Sequence, residues 1–266
     1  VRIATWNING VRARLPFVVR WLDERRPDVV AVQETKVPDA SFPHEALREA
    51  GYRARAHGEK GFNGVALLAR EEVELVEPRP GLPGQEELGA RLLVARVRGP
   101  GIGELDVASV YVPNGKHTGH RDFGRKLVWL DALHEHLEAA VGTDRPLVVG
   151  GDFNVVPTAL DTWNEEELRG AIFHTDEERE RFARLLGLGL RDLFRETHPE
   201  LQAFSWWDYR GGAFHRKQGL RIDFLLASPE LATRVQTVEI DREYRKKKDG
   251  LTASDHAPVW ADLEDG

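Results

Sequence analysis

Two packed, mostly antiparallel β-sheets with helices on their outer faces form the α/β fold that this 266-residue sequence predicts. Three observations lead there. Short apolar runs of strand length recur along the whole chain, stretches with the 3.6-residue spacing of a helix fall between some of them, and several runs follow one another too closely for a helix to intervene. The order is therefore not a strict βαβ alternation.

The first run spans residues 2–7 and is followed by Phe17, Trp21 and Leu22, which share one helix face. A second strand covers 28–33, and the runs 52–56 and 64–70 read as a hairpin, as do 91–98 and 105–112. Phe123, Leu127, Leu130 and Leu137 line a helix before a strand at 146–150, and Phe182, Leu185 and Leu186 line another. Strand-like runs at 204–207, 221–227 and 236–240 lead to a final one at 256–263.

With 41% apolar and 30% charged residues the chain can bury a substantial core, and the absence of a Ser-, Gly- or Pro-rich linker favours a single domain over 1–266. No internal repeat, signal-peptide pattern or apolar stretch near 18 residues is present, so the expectation is a soluble, cytoplasmic monomer with no membrane partner. The lack of any methionine points to a trimmed or incompletely recorded start. Zero cysteines exclude disulfides, thiolate metal sites and a Cys nucleophile, which leaves hard, oxygen-preferring cations. The net charge of −7 disfavours nucleic acid as a partner only on average, because phosphates meet local charge. Basic residues gather at 116–126, 210–221 and 242–248, and acidic ones at 165–180.

The most informative residues stand where the apolar runs end: Asn7 in WNING, Glu34 in QETK, Tyr111 and Asn114 in YVPNG, Asp152 and Asn154 in GDFN, Asp223 in GLRID, and Asp255 and His256 in SDHAP. Six strand ends carrying hard oxygen or nitrogen donors suggest one metal-dependent site. Glu34, helped by Asn7 and Asp255, suffices for Mg²⁺, which keeps few protein ligands beside waters and phosphate oxygens. Gly150 and Gly151 allow a tight turn, after which Asp152 and Asn154, two apart, point to the same side of an extended chain. A carboxylate such as Asp223 on one imidazole nitrogen of His256 would fix its tautomer and raise its basicity.

These strings, with SWWDYR and in this order from Arg2 to Trp260, resemble the exonuclease III branch of the endonuclease/exonuclease/phosphatase superfamily, the metal-dependent abasic-site endonucleases and 3'-exonucleases of base-excision repair. The resemblance implies a four-layered α/β sandwich, Mg²⁺ as cofactor with Mn²⁺ as a substitute, and double-stranded DNA with abasic sites or 3' ends as partner. It implies hydrolysis on the 5' side of abasic sites and at 3' ends, with 3'-phosphatase action as a further possibility. It makes Asp152 the general base or a ligand of a second metal, with Asn154 and His256 also in the metal set, Asn154 a donor to the developing oxyanion, His256 the phosphate-contacting imidazole, Asp223 its acid, and Tyr111 a hydroxyl on the phosphate or leaving oxygen. For DNA it implies Lys36 and Asn114, a pocket lined by Trp206, Leu220 and Ile222, and a wedge at Arg210. Two departures bear on substrate: Leu220 is smaller than the Trp often found there, and Phe173 falls where many abasic endonucleases keep a small residue. A bulky floor would favour 3'-end trimming over internal abasic incision. Competing readings are an enzyme acting mainly on 3' ends, a phosphodiesterase or phosphatase of the same superfamily acting on a non-DNA head group, and a non-catalytic DNA-binding module.

Overall fold

The computed structural model describes residues 1–143 and 145–266. In chain order its strands are β1 (Arg2–Asn7), β2 (Val29–Gln33), β3 (Tyr52–His57), β4 (Val65–Arg70), β5 (Glu74–Pro80), β6 (Leu92–Gly99), β7 (Gly103–Tyr111), β8 (Leu147–Asp152), β9 (Arg191–Asp192), β10 (Asp223–Ala227), β11 (Val235–Ile240) and β12 (Val259–Leu263). They form two six-stranded sheets, β11-β12-β1-β2-β4-β3 and β5-β6-β7-β8-β10-β9. Each sheet is antiparallel except for one parallel pair at its centre, β1 with β2 and β7 with β8.

Period-two alternation sorts the side chains into layers. Ile3, Val29, Ala31, Val107, Val148, Leu225 and Val259 face inward and form one core between the sheets. Their chain neighbours Ala4, Trp6, Val30 and Val32 face outward, against Phe17, Trp21 and Leu22 of the Val11–Arg25 helix. On the other flank Val149 and Phe224 pack under the helices Arg121–Val141 and Asp176–Gly187 through Trp129, Leu133, Phe182 and Leu185. The layers run helix, sheet, sheet, helix, as in the four-layered sandwich expected. Gly150 sets the sheet separation at the site end: a Cβ there would lie 3.0 Å from Ala31 Cβ and 3.1 Å from Thr5 Cβ, both on the opposite sheet.

Two expectations need correction. Residues 204–207 do not form a strand: Trp206 makes isolated bridges to Leu220 and to His256, and Trp207 N–H already donates to Asp255 O. The segment is shared among three chain stretches, so no ladder can extend. Conversely β5 was not anticipated, because ELVEPRP is polar, largely exposed and carries prolines, which a sheet tolerates at its edge.

Candidate active site

At one end of the inter-sheet layer the apolar core gives way to polar side chains. Alternation that buries Ile3 and Thr5 also turns Asn7 inward, and the same rule turns Asp152 inward after Val148 and Gly150. Register then aligns a row on the second sheet: Tyr111 is the Cα partner of Asp152, and Asp152 that of Asp223. Gln33 and Ser109 tie the two sheets just below, with Gln33 Nε2 donating to Ser109 Oγ at 3.1 Å.

Asn7 Nδ2 donates to Glu34 Oε1 and to Asp152 Oδ2, both at 2.9 Å, so one amide bridges the two sheets. Its Oδ1 accepts from Asn9 N–H at 3.0 Å, which fixes that orientation. Asp152 Oδ1 also accepts from Asn154 N–H at 3.0 Å. His256 Nδ1 stands 2.9 Å from Asp223 Oδ2, and Ser205 Oγ donates to the same oxygen at 2.6 Å. The other imidazole nitrogen, Nε2, points to Asp152 Oδ2 at 3.8 Å. Donor atoms of Glu34, Asp152 and His256 all lie within 4.8 Å of one another. Asp255 accepts from Asn9 Nδ2 at 2.9 Å and Trp206 Nε1 at 3.0 Å, and Lys36 Nζ pairs with Glu34 at 2.7 Å.

These groups shift one another's protonation. Burial, reinforced by the neighbouring Asp223 and Glu34 and opposed by His256, pushes Asp152 up to about 7. Burial disfavours the charged form of His256, yet Asp223 overcomes it, with help from Asp152 and Asp255, and raises it to about 10. Burial also works against the charge of Asp255, but His256, Trp206 and Asn9 hold it below the ordinary carboxylate range. Tyr111 is pushed well above its usual value by burial and by the charges of Glu34 and Asp152.

The cluster forms a wall of a cavity of about 310 Å³, whose lining also includes Tyr111, Asn114, Asn154, Phe173, Trp206 and Ile222. Arg210 stands at its rim, exposed and held by Asp208 at 3.0 Å. Leu220 is not a pocket wall: it is buried behind Phe173 and Ile222, and its backbone is spent on bridges to Trp206 and Thr162. His174 turns away to Thr162 and Ile172 O, so of the two it is Phe173 that lines the cavity. The basic stretches are less exposed than their composition implied. Lys126, Arg221 and Arg245 are buried, the first two in ion pairs and Arg245 on the carbonyls of Asp255 and Trp207.

Sequence reading passed over Asn9, which links Asp255 to Lys36, and Arg91, whose guanidinium lies 4.8 Å over the Tyr111 ring. Asn9 repeats the Asn7 side two residues on, a usable signal; nothing local marks Arg91. Strain also concentrates here. Asn9, Glu34, Lys36, Lys116, Asn154 and Phe173 all adopt positive φ, six of the eleven non-glycine residues that do so among the described residues. Each costs on the order of 1–3 kcal/mol, which surrounding contacts must hold in place.

Two carboxylates joined by a bridging amide suit a hard divalent cation, whereas a protonated His256 suits an anion. An activated water next to Asp152 and a phosphoryl group facing His256 would complete a phosphodiester hydrolysis site.

Comparison with known proteins agrees. The model of the endonuclease/exonuclease/phosphatase family matches residues 4–256. The exodeoxyribonuclease III of Haemophilus influenzae is 35% identical over 99% of this chain and all of its own length. Among solved structures, the 3' phosphatase NExo from Neisseria bound to product DNA hairpin superposes with TM-score 0.93 at 36% identity, covering 99% of both chains. An AP endonuclease from Archaeoglobus fulgidus superposes with TM-score 0.92 at 33% identity, again over 99% of both.

Proposed function

The chain belongs to the endonuclease/exonuclease/phosphatase family, and from that premise we propose that it is a Mg²⁺-dependent DNA repair nuclease that hydrolyses phosphodiesters at 3' ends and on the 5' side of abasic sites. The observation that carries the reading is the meeting of Glu34, Asp152 and His256 on the wall of one cavity, with Asp223 held against His256 from behind. Residues 1–266 act as one catalytic domain, since each sheet supplies half of the cluster. It works as a monomer, and in the cytoplasm, which the bacterial exodeoxyribonuclease III relative supports.

Glu34 and Asp152, steadied by Asn7, are the residues that would hold the cation, and Mn²⁺ fits the same oxygen donors. When bound, the ion neutralises charge on the phosphoryl oxygens and lowers the pKa of a water. Asp152, buried beside Glu34 and with Oδ2 3.8 Å from His256 Nε2, is placed to take the proton of the attacking water. His256, kept cationic by Asp223, donates from Nε2 to a phosphoryl oxygen. Asn154 spends one amide N–H on Val112 O at 2.9 Å and has a second for the same group. Tyr111, kept neutral, offers its hydroxyl as a proton donor near the leaving oxygen. On the substrate side, Trp206, Ile222 and Phe173 make the apolar slot, with Lys36, Asn114 and Arg210 set around it for the DNA backbone and the duplex. Phe173 fills volume that a flipped abasic sugar needs, so 3' ends are the preferred substrate and internal incision the weaker one.

The test is a duplex with one internal abasic analogue beside an intact duplex with a recessed 3' end, each with Mg²⁺, Mn²⁺ or EDTA. Metal-dependent cleavage of the recessed end, with slower incision at the analogue, is expected. Activity on a phosphorylated head group with neither DNA cut would overturn the reading.

A further inference from the structure

Behind the cavity wall lies a lysine that takes no part in the chemistry above. Lys126, in the Arg121–Val141 helix, and Glu178, in the Asp176–Gly187 helix, both have side chains with 0% exposure. A lysine is almost never fully buried without partners, and this one spends all three N–H groups. Its ammonium donates to Asn154 O at 2.6 Å, to Asn114 O at the long distance of 3.5 Å, and to Glu178. The Phe173 ring centroid lies 4.8 Å from the same nitrogen. Asn114, Asn154 and Phe173 each line the cavity, and they come from three separate segments.

The pair is braced from both sides. The aliphatic stem of Lys126 packs under Gly115, where a Cβ would come within 3.1 Å of its Cδ. Glu178 turns its second oxygen to Thr175, accepting from N–H at 3.2 Å and Oγ1 at 2.9 Å, which ends the loop that carries Phe173. Phe173 O in turn accepts from Val156 N–H at 2.8 Å, two residues beyond Asn154. As a source of stability such a pair is weak, because the attraction between its members roughly offsets the loss of hydration. What it supplies is position: Phe173 sits at φ of +73°, a conformation that a bulky residue does not hold without outside contacts.

We infer that Lys126 is a positioning residue that locks Asn114, Asn154 and Phe173 into one wall and so sets both the rate and the choice between a 3' end and an internal abasic site. This rests on the function proposed above. Lys126→Met combined with Glu178→Gln replaces the ion pair by neutral groups of similar size, while the glutamine oxygen still accepts from Thr175. In that variant kcat should fall about 10- to 100-fold, as for a misplaced catalytic group, with KM changed far less. The ratio of recessed-end to abasic-analogue cleavage should also fall, because the Phe173 loop is no longer pinned. Glu178→Gln alone leaves the bonds from Lys126 to Asn154 and Asn114, and should keep the wild-type ratio. A double variant with wild-type kcat and ratio would overturn the inference, as would Glu178→Gln alone reproducing the altered ratio. Should the double variant not fold, the ratio in Lys126→Arg, which keeps the charge but not the shape, decides: unchanged overturns, shifted supports. A wild-type enzyme cutting neither DNA would instead overturn the proposed function and is read separately.

Discussion

Two clusters of buried charge lie close together in this molecule and are built on opposite terms. Arg221 donates to Asp161 at 2.6 Å and to both oxygens of Asp192 at 3.0 and 2.7 Å, while Arg195 meets Asp161 at 2.6 Å. Two acids face two cations, and although burial opposes its charge, Asp161 is held below the ordinary range chiefly by Arg221. Around the cavity four carboxylates, Glu34, Asp152, Asp223 and Asp255, have His256 and Lys36 as their only ion-pair partners among the described residues, and Asp152 is driven up. The first cluster is complete within the protein. The second keeps an excess of negative charge and is suited to receive a cation and a phosphate from outside.

Asp152→Asn breaks the comparison most severely. Turnover should fall by about 10²–10⁴-fold or more, as for loss of a general base, while DNA binding persists. Gel-shift and cleavage measurements on one preparation check this, and near-normal turnover would remove Asp152 from the chemistry. The same variant tests the electrostatics in metal-free protein. Because the folded-state value of Asp152 is raised, its ionisation costs stability that grows as pH rises from the ordinary carboxylate range to about 7 and stays constant above. The variant should therefore be more stable than wild type at pH 8 and equal to it near pH 4 by thermal unfolding.

Arg221→Met should have the opposite signature. It leaves Asp192 without a charge partner and Asp161 with Arg195 alone, and should cost about 3–5 kcal/mol of stability. The stabilisation that Asp161 gives wild type, present above the ordinary range, should fade on acidification through its depressed value, so the gap between the two proteins narrows at low pH. An Arg221→Met protein as stable as wild type at pH 7 would show that this network is no anchor.

His256→Ala and Asp223→Ala should be non-additive in a double-mutant cycle by about 0.5–3 kcal/mol, because the carboxylate acts through the imidazole. Losses that simply multiply would separate the two residues. Phe173→Gly should raise abasic incision relative to 3'-end resection by about 1–3 kcal/mol of discrimination. The smallest effect is expected on the surface: reversing Lys246 and Lys247 should lower the slope of binding against salt by about one for each phosphate no longer neutralised. An unchanged slope would mean that this patch faces solvent.

Much of this was legible in the chain. Strand ends with hard donors announced the site, because period-two alternation makes the inward side of each strand countable from Ile3 to Asn7 and from Val148 to Asp152. The apolar helix faces were equally plain. What resisted reading were features fixed by tertiary partners. Lys126 and Arg221 look like surface cations in any local window, and only the acids at Glu178, Asp161 and Asp192, dozens of residues away, bury them. The positive φ of Glu34, Lys36 and Phe173 has no residue signature, since none of these types favours that region. Leu220 stays out of the cavity lining because its side chain is buried against Val156, Phe173 and Ile222, partners that no local window reveals.

The Asn7 amide touches Glu34, which follows a strand of one sheet, and Asp152, which ends a strand of the other. A cation held by that pair would therefore do more than prepare a reaction: it would relieve repulsion between carboxylates carried by different sheets. Loading the site and holding the sandwich shut would then be one thermodynamic event, so that the fold itself would serve as a gauge of occupancy, readable as a rise in melting temperature long before any bond is cut.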